Sequence, residues 1–308
     1  MKWISFRLPN GQEKAGWIHL NQYAIDMNEY SEGALPATLF EFLQDQEQYM
    51  ELVKSWETIS VERAGVYFLS EVKLMAPLPN PLSFRDFYSF EQHVKRSRER
   101  RGLEMIPEWY RFPAFYFSNH LTIKGPEEVI PFPAESCERD YELEIACVIG
   151  KKGSTISSHQ AAAHIFGFCI MNDWSARDLQ REEMKVGLGP AKGKDFATSI
   201  GPYIVTLDEV GEMKNGQIEL KMEAFVNGKQ LSSGNTRDLY YSFGEMIERA
   251  SAGTTVYPGE IIGSGTVGTG CLLELGREIH PWLKEGDEVS LTIEGLGTLT
   301  NKIGSGKG

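Results

Sequence analysis

Acidic side chains recur where burial is expected. In "ERDYELEIACVIG" (138–150), Glu142 and Glu144 stand two apart within an apolar strand pattern. Strand residues i and i+2 project to one face, so Leu143 and Ile145 take the other. Two neighbouring carboxylates repel, and burial strengthens the repulsion. A divalent cation resolves both problems, and carboxylate oxygens suit Mg²⁺, Mn²⁺ or Ca²⁺. A strand with one solvated face would give the same pattern. From this segment alone both readings stand.

A third acid, Asp173, follows the apolar run of "FGFCIMNDWSARDLQ". It sits either at a strand end facing a cleft or at the N-cap of a following helix. In that helix Arg177 and Gln180 share a face, and Asp178 points elsewhere. Asp86, Tyr88 and His93 are close together in "RDFYSFEQHVKRS". Histidine moves protons near neutral pH when a carboxylate orients it. Glu274, a lone acid in the apolar "CLLELG", is a candidate orienter; a structural acid and a surface histidine are the plain alternative. Lys194 follows the glycine-rich "GLGPAKGKD", whose spacing does not make a phosphate loop, but it can reach a substrate anion. "GSGTVG" (263–268) matches a dinucleotide fingerprint, yet the turn and strand expected after it replace the required helix. Its glycines are read as a tight turn or close backbone approach.

These residues need a sizeable scaffold, and 308 residues supply one. A net charge of -12 argues against a nucleic-acid or anionic-membrane binder. The basic "KRSRERRG" is read as a solvated helix face. No apolar run of about 18 residues predicts a membrane span, and the first residues predict no secretory signal. Cys137, Cys147, Cys169 and Cys271 form no CxxC pair and are expected as reduced thiols in a cytoplasmic protein.

Residues 1–70 are expected as a small β/α domain. It opens with a hairpin around "PNGQ", followed by one or two amphipathic helices in "ATLFEFLQDQEQYMELVKSWE". Residues 71–303 form the main domain, and 304–308 a flexible tail. The main domain turns helical from "DFYSFEQHVKRSRERRG", with Gly102 as the stop. Strands dominate thereafter, interrupted by helices in "SSHQAAAHIF" and "YYSFGEMIERAS". Many strands and few helices predict a mainly β, α+β fold with a closed or rolled sheet.

With these residues laid out, the chain resembles the fumarylacetoacetate hydrolase family from about residue 72 to 303. The resemblance is carried by "DFYSFEQH", "DYELEIACVIG", "MNDWSARDLQ", "GKDFATSIGPYIVT", "TVYPGEIIGSGTVG" and "EGDEVSLTIEGLGTLTN" in order. It implies a mixed β-sandwich roll of the fumarylacetoacetase C-terminal type and a homodimer. It implies Glu142, Glu144, Asp173 and Asp86 as ligands of Mg²⁺ or Mn²⁺, with Ca²⁺ as an option. His93 would be the general base, Glu274 its orienting partner and Lys194 a stabiliser of developing charge. Tyr88, Tyr116, Arg177, Gln180 and Thr266 would face substrate. "PAFYFSNH" departs from the family's pattern while keeping Tyr116, and Ser118 and Asn119 stand where smaller relatives carry a lysine. The activity expected is metal-dependent carbon–carbon hydrolysis of a 1,3-diketo acid. The alternatives are oxaloacetate decarboxylation, keto-acid isomerisation or hydration, and a non-catalytic metal-binding role.

Overall fold

The computed structural model describes residues 1–308 except 57, 212, 214, 215 and 306–308. Six strands and three helices position the candidate site. The strands are β1 (Lys2–Arg7), β2 (Phe84–Phe87), β3 (Leu143–Ile149), β4 (Ile165–Asp173), β5 (Thr198–Thr206) and β6 (Ile261–Gly263). The helices are α1 (Glu91–Glu99), α2 (Arg177–Val186) and α3 (Leu272–Leu275).

Among the described residues the larger sheet has 12 strands. Its main path runs Val66–Phe68, Tyr23–Asp26, Glu13–His19, β1, β5, β4, β3, β6, β2 and Phe115–Phe117. Most pairings are antiparallel, but β6 and β2 run parallel, with Gly263 opposite Asp86. A second sheet of five strands includes Lys221–Val226, Glu288–Ile293 and Gly297–Ile303. The expected mixed, strand-dominated α+β roll is therefore present. The N-terminal strands are continuous with the large sheet through the pairing of β1 with β5.

Strand β3 is buried on both faces, which explains its nearly unbroken apolar run. Leu143, Ile145 and Cys147 join the core that contains Met222, Leu291 and Leu299 of the second sheet. Ala146 and Val148 join the other core, with Trp3, Trp17 and Phe42 of the N-terminal region. Strand alternation puts Glu142 and Glu144 on the Ala146 side.

The "PNGQ" hairpin forms as expected, with β1 and Glu13–His19 in register from Lys2↔Ile18 to Arg7↔Glu13. Two helices follow, Leu39–Gln44 and Gln46–Ser55. Thr38 and Glu41 make a reciprocal capping box at the first. The basic run lies at the end of α1 and beyond it, with Lys95, Arg96, Arg100 and Arg101 exposed, and Gly102 takes a φ of +69° just past it.

Three local expectations are corrected. "DFYSF" is not helical: Asp86 lies on β2 and α1 begins only at Glu91. "SSHQAAAHIF" yields only a 3₁₀ turn, Ala161–His164, because Ile165 already enters β4. "CLLELG" is a single helical turn, not a strand, and its amides are capped by a distant carboxylate described below. Gly304 still donates to Ile130 C=O at 3.0 Å. The rest of the expected tail, beyond Ser305, lies outside the described residues.

Candidate active site

The four acids arrive from neighbouring strand ends. Asp86 is on β2, Glu142 and Glu144 are at the start of β3, and Asp173 closes β4. Antiparallel pairing sets Glu144 opposite Met171, and the Asn172 side chain accepts the Glu142 N–H at 2.9 Å. Strand β6 runs between β3 and β2. A Cβ at Gly263 would stand 2.5 Å from Asp86 Oδ1, so this glycine lets Asp86 reach across. Asp173 is not a helix N-cap; Ala176 holds that position for α2.

Asp86, Glu144 and Asp173 each bring one carboxylate oxygen to within 4.8 Å of the others. Glu144 accepts from Thr266 Oγ1 and from Gly265 N, both at 3.1 Å. Asp86 Oδ1 shares the Gly265 N–H at 3.2 Å. Asp173 Oδ2 accepts from Tyr116 Oη and Lys194 Nζ, both at 2.6 Å. Asp173 Oδ1 is buried and has no hydrogen-bond partner among the described residues. Glu142 stands beside this trio and is held differently. Arg177 donates to its Oε1 at 2.7 Å and Lys194 to its Oε2 at 2.5 Å.

The electrostatics follow from burial. Burial first, and then Asp173, push Asp86 well above the usual carboxylate range. Burial, and then Asp86, do the same to Glu144. The two share a hydrogen bond, so their proton belongs to the pair. Burial also raises Asp173, against the pull of Lys194. At Glu142 burial acts upward, but Lys194 and then Arg177 outweigh it and hold the group well below its usual range. An uncompensated buried ion costs several kcal/mol, more than the roughly 1.5–3 kcal/mol that one buried apolar side chain contributes. Among the described residues, five buried carboxylates (Asp86, Asp140, Glu142, Glu144 and Asp173) face two buried cations, Lys194 and Arg177. Oxygen donors, excess negative charge and the orphaned Asp173 oxygen fit a hard divalent cation.

Beside this cluster is a second pair. His93, in the first turn of α1, has Nδ1 2.5 Å from Oε1 of Glu274 on α3. Glu274 Oε2 accepts the Thr269 N–H at 2.9 Å. Both side chains are buried. Tyr88 packs edge-on to the His93 ring at 5.4 Å, and burial pushes its hydroxyl up to about 12. Among the described residues no hydrogen bond engages His93 Nε2. A ring held in this way can accept and return a proton at Nε2.

Several residues expected to face substrate also hold the site together. Tyr116 and Thr266 donate to Asp173 and Glu144. Arg177 has all three nitrogens engaged, by Asp140, Glu142 and Gln180. Lys194 meets two carboxylates. Sequence reasoning missed Asp140, which is fully buried. Its Oδ2 accepts from Arg177 Nε at 2.8 Å and from Leu273 N at 3.1 Å, and its Oδ1 from Leu272 N at 2.7 Å. It therefore ties the Arg177–Glu142 pair to the helix that carries Glu274. The signal was there: Asp140, Glu142 and Glu144 continue one alternating spacing.

Fold and site together define a class, a strand-rich α+β protein with an oxygen-donor cluster beside a buried histidine–glutamate pair. The chain belongs to the fumarylacetoacetate hydrolase family: residues 83–304 match the model "Fumarylacetoacetate (FAA) hydrolase C-terminal". It is 32% identical over 279 residues to oxaloacetate tautomerase YisK of Bacillus subtilis, covering 88% of this chain and 87% of that protein. It is 35% identical over 289 residues to the mitochondrial oxaloacetate tautomerase FAHD2A of Bos taurus, covering 91% and 83%. Among solved structures, the fumarylacetoacetate hydrolase of Exiguobacterium antarcticum superposes with a TM-score of 0.76 at 24% identity, covering 99% of each chain. Among the described residues no helix is long and apolar enough to cross a membrane.

Proposed function

We propose that this protein is a divalent-metal-dependent enzyme moving a proton on a small 2-oxo dicarboxylic acid, with keto–enol interconversion of oxaloacetate as its reaction. The observation that carries this reading is the His93–Glu274 contact at 2.5 Å beside a buried carboxylate cluster. Tautomerisation needs one group that takes a proton from carbon and returns it to oxygen, and an oriented histidine can do both. The two relatives named oxaloacetate tautomerase support the substrate.

Asp86, Glu144 and Asp173 would hold Mg²⁺ or Mn²⁺, with Glu142 adding charge beside them. A bound cation supplies Lewis acidity to the substrate's keto oxygen. Glu274 accepts a hydrogen bond from His93 Nδ1–H, which leaves the Nε2 lone pair to act as base. Lys194 and Arg177 balance the charge around Glu142. Tyr88 closes one side of the imidazole against water.

Carbon–carbon hydrolysis of a 1,3-diketo acid is the second reading, favoured by the same dyad, which could equally deprotonate water. NMR of the Mg²⁺-loaded protein with oxaloacetate and with acylpyruvates separates the two. Faster enol–keto exchange with oxaloacetate intact supports tautomerisation. Paired acid and pyruvate products from acylpyruvates move the assignment to hydrolysis, and CO₂ with pyruvate from oxaloacetate moves it to decarboxylation. No turnover on any of them leaves a metal-binding protein. We extend the reading to a cytoplasmic homodimer; light scattering tests the oligomer and cell fractionation the compartment.

A further inference from the structure

The surroundings of Glu274 contain a second donor set, unlike the first. Cys271 Sγ lies 3.6 Å from Glu274 Oε1, the oxygen that also meets His93 Nδ1. The three side chains are 0–4% exposed. One ligating atom from each lies within 4.8 Å of the others. Glu274 Oε2 is fixed by the Thr269 amide, which leaves Oε1 as the oxygen aimed at the pair. Oxygen-only sites favour Mg²⁺, Mn²⁺ and Ca²⁺, whereas imidazole, thiolate and carboxylate together favour Zn²⁺. A catalytic-type zinc site also needs only three protein ligands.

We infer that His93, Cys271 and Glu274 form a second metal site, selective for Zn²⁺ and similar borderline ions, whose occupation switches the enzyme off. The proton balance is simple. Cys271 releases its thiol proton to solvent as the Zn–S bond forms. The ring proton moves from Nδ1, which becomes the ligand, to Nε2. The imidazole stays neutral, but Nε2 now carries hydrogen and has no lone pair for the substrate's proton. Zn²⁺ therefore blocks the base without touching the carboxylate cluster. The inhibition rests on the proposed role of His93; the metal binding does not.

Cobalt is the probe, because a thiolate bound to Co²⁺ absorbs in the near ultraviolet and a carboxylate does not. The protein is first saturated with Mg²⁺ and then titrated with Co²⁺. The expected result is a thiolate–cobalt band that saturates at one equivalent, persists in Cys137→Ser, disappears in Cys271→Ser and is displaced by Zn²⁺. No band in the unaltered protein, or a band that survives in Cys271→Ser, overturns the site. His93→Gln gives an independent check: cobalt affinity falls by about 10-fold or more, and unchanged affinity removes His93 from the ligand set. Zn²⁺ is then added to the Mg²⁺ enzyme during oxaloacetate turnover. Inhibition relieved in Cys271→Ser supports the whole inference. The cobalt band together with undiminished turnover in Zn²⁺ overturns the inhibitory role, and with it the assignment of His93 as base, while the ligand set stands.

Discussion

Asp140 and Arg177 meet at 2.8 Å through Oδ2 and Nε, and the same carboxylate receives the first two amides of α3. Asp140 is thus shared between the metal-type cluster and the helix of the proton-transfer pair. Asp140→Asn removes the charge opposite Arg177 and two of the acceptor positions. Breaking a buried ion pair from one side costs about 3–5 kcal/mol. Urea unfolding is expected to show a loss of that order. A change below about 0.5 kcal/mol, the range of an ordinary surface substitution, would show that neither Arg177 nor α3 depends on it.

The carboxylate cluster predicts an unusual pH dependence in chelator. Asp86 and Glu144 are raised above their ordinary values of 3.8 and 4.5 in the folded protein. Above those values the unfolded chain binds fewer protons than the folded one, so stability falls as pH rises. Glu142 has the opposite sign, but its contribution is complete once pH exceeds its ordinary 4.5. The melting temperature in EDTA is therefore expected to drop from pH 5.5 to pH 8, with pH values chosen as about one and several units above the ordinary carboxylate range. Mn²⁺ should flatten the profile. A metal-free protein that gains stability over this interval would contradict the cluster's electrostatics.

Asp173 has one oxygen hydrogen-bonded to Tyr116 and Lys194 and one with no partner among the described residues. Asp173→Ala is expected to lose Mn²⁺ binding and turnover together. Calorimetric titration checks this, and unchanged Mn²⁺ affinity would remove Asp173 from the ligands.

His93 is expected to separate binding from chemistry. His93→Ala should keep Mn²⁺ affinity while enol–keto exchange slows by about 10²-fold or more. Glu274→Gln should slow exchange in the same direction, since it weakens the acceptor for Nδ1–H. A near-wild-type rate in His93→Ala would exclude it as the base.

Gly265 takes a φ of +79°, and an added Cβ would stand 2.4 Å from Phe87 C=O. Its N–H also serves both Glu144 and Asp86. Gly265→Ala is expected to destabilise the protein by about 1–3 kcal/mol and to weaken Mn²⁺ binding in the refolded, soluble fraction. Full Mn²⁺ affinity with unaltered melting would show that the loop can move aside.

Much of this site could be read from residue spacing. Alternation put Glu142 and Glu144 on one face, and the three-residue step put Arg177 and Gln180 together, where they hydrogen bond at 3.1 Å. Glu274 stood out as an acid among leucines, although the strand assigned to it proved to be a helical turn. That turn was illegible because its cap is Asp140, 132 residues away from Leu272. The same limit hid the carboxylate contacts of Arg177, Tyr116 and Thr266. Sequence marks them as polar groups near a site, but only tertiary contact decides whether they touch a ligand or a carboxylate. The glycines of "GSGTVG" were rightly read as steric relief, yet the atoms they relieve, Asp86 Oδ1 and Phe87 C=O, come from a strand nearly 180 residues earlier.

The pairing of β1 with β5, Lys2↔Val205 and Trp3↔Ile204, has a consequence for biogenesis. A ribosome adding about 5–20 residues per second needs roughly 10–40 s to make the intervening chain. Through that interval the Lys2–Trp3 end of β1 has an open edge, while Phe6 and Arg7 pair with Leu74 and Lys73, and open edges recruit other nascent chains. Strand β5 then pairs on its other side with β4, which ends at Asp173. Chaperone demand should accordingly peak before β5 emerges, and slow translation upstream of residue 198 should lower soluble yield more than slow translation after residue 206.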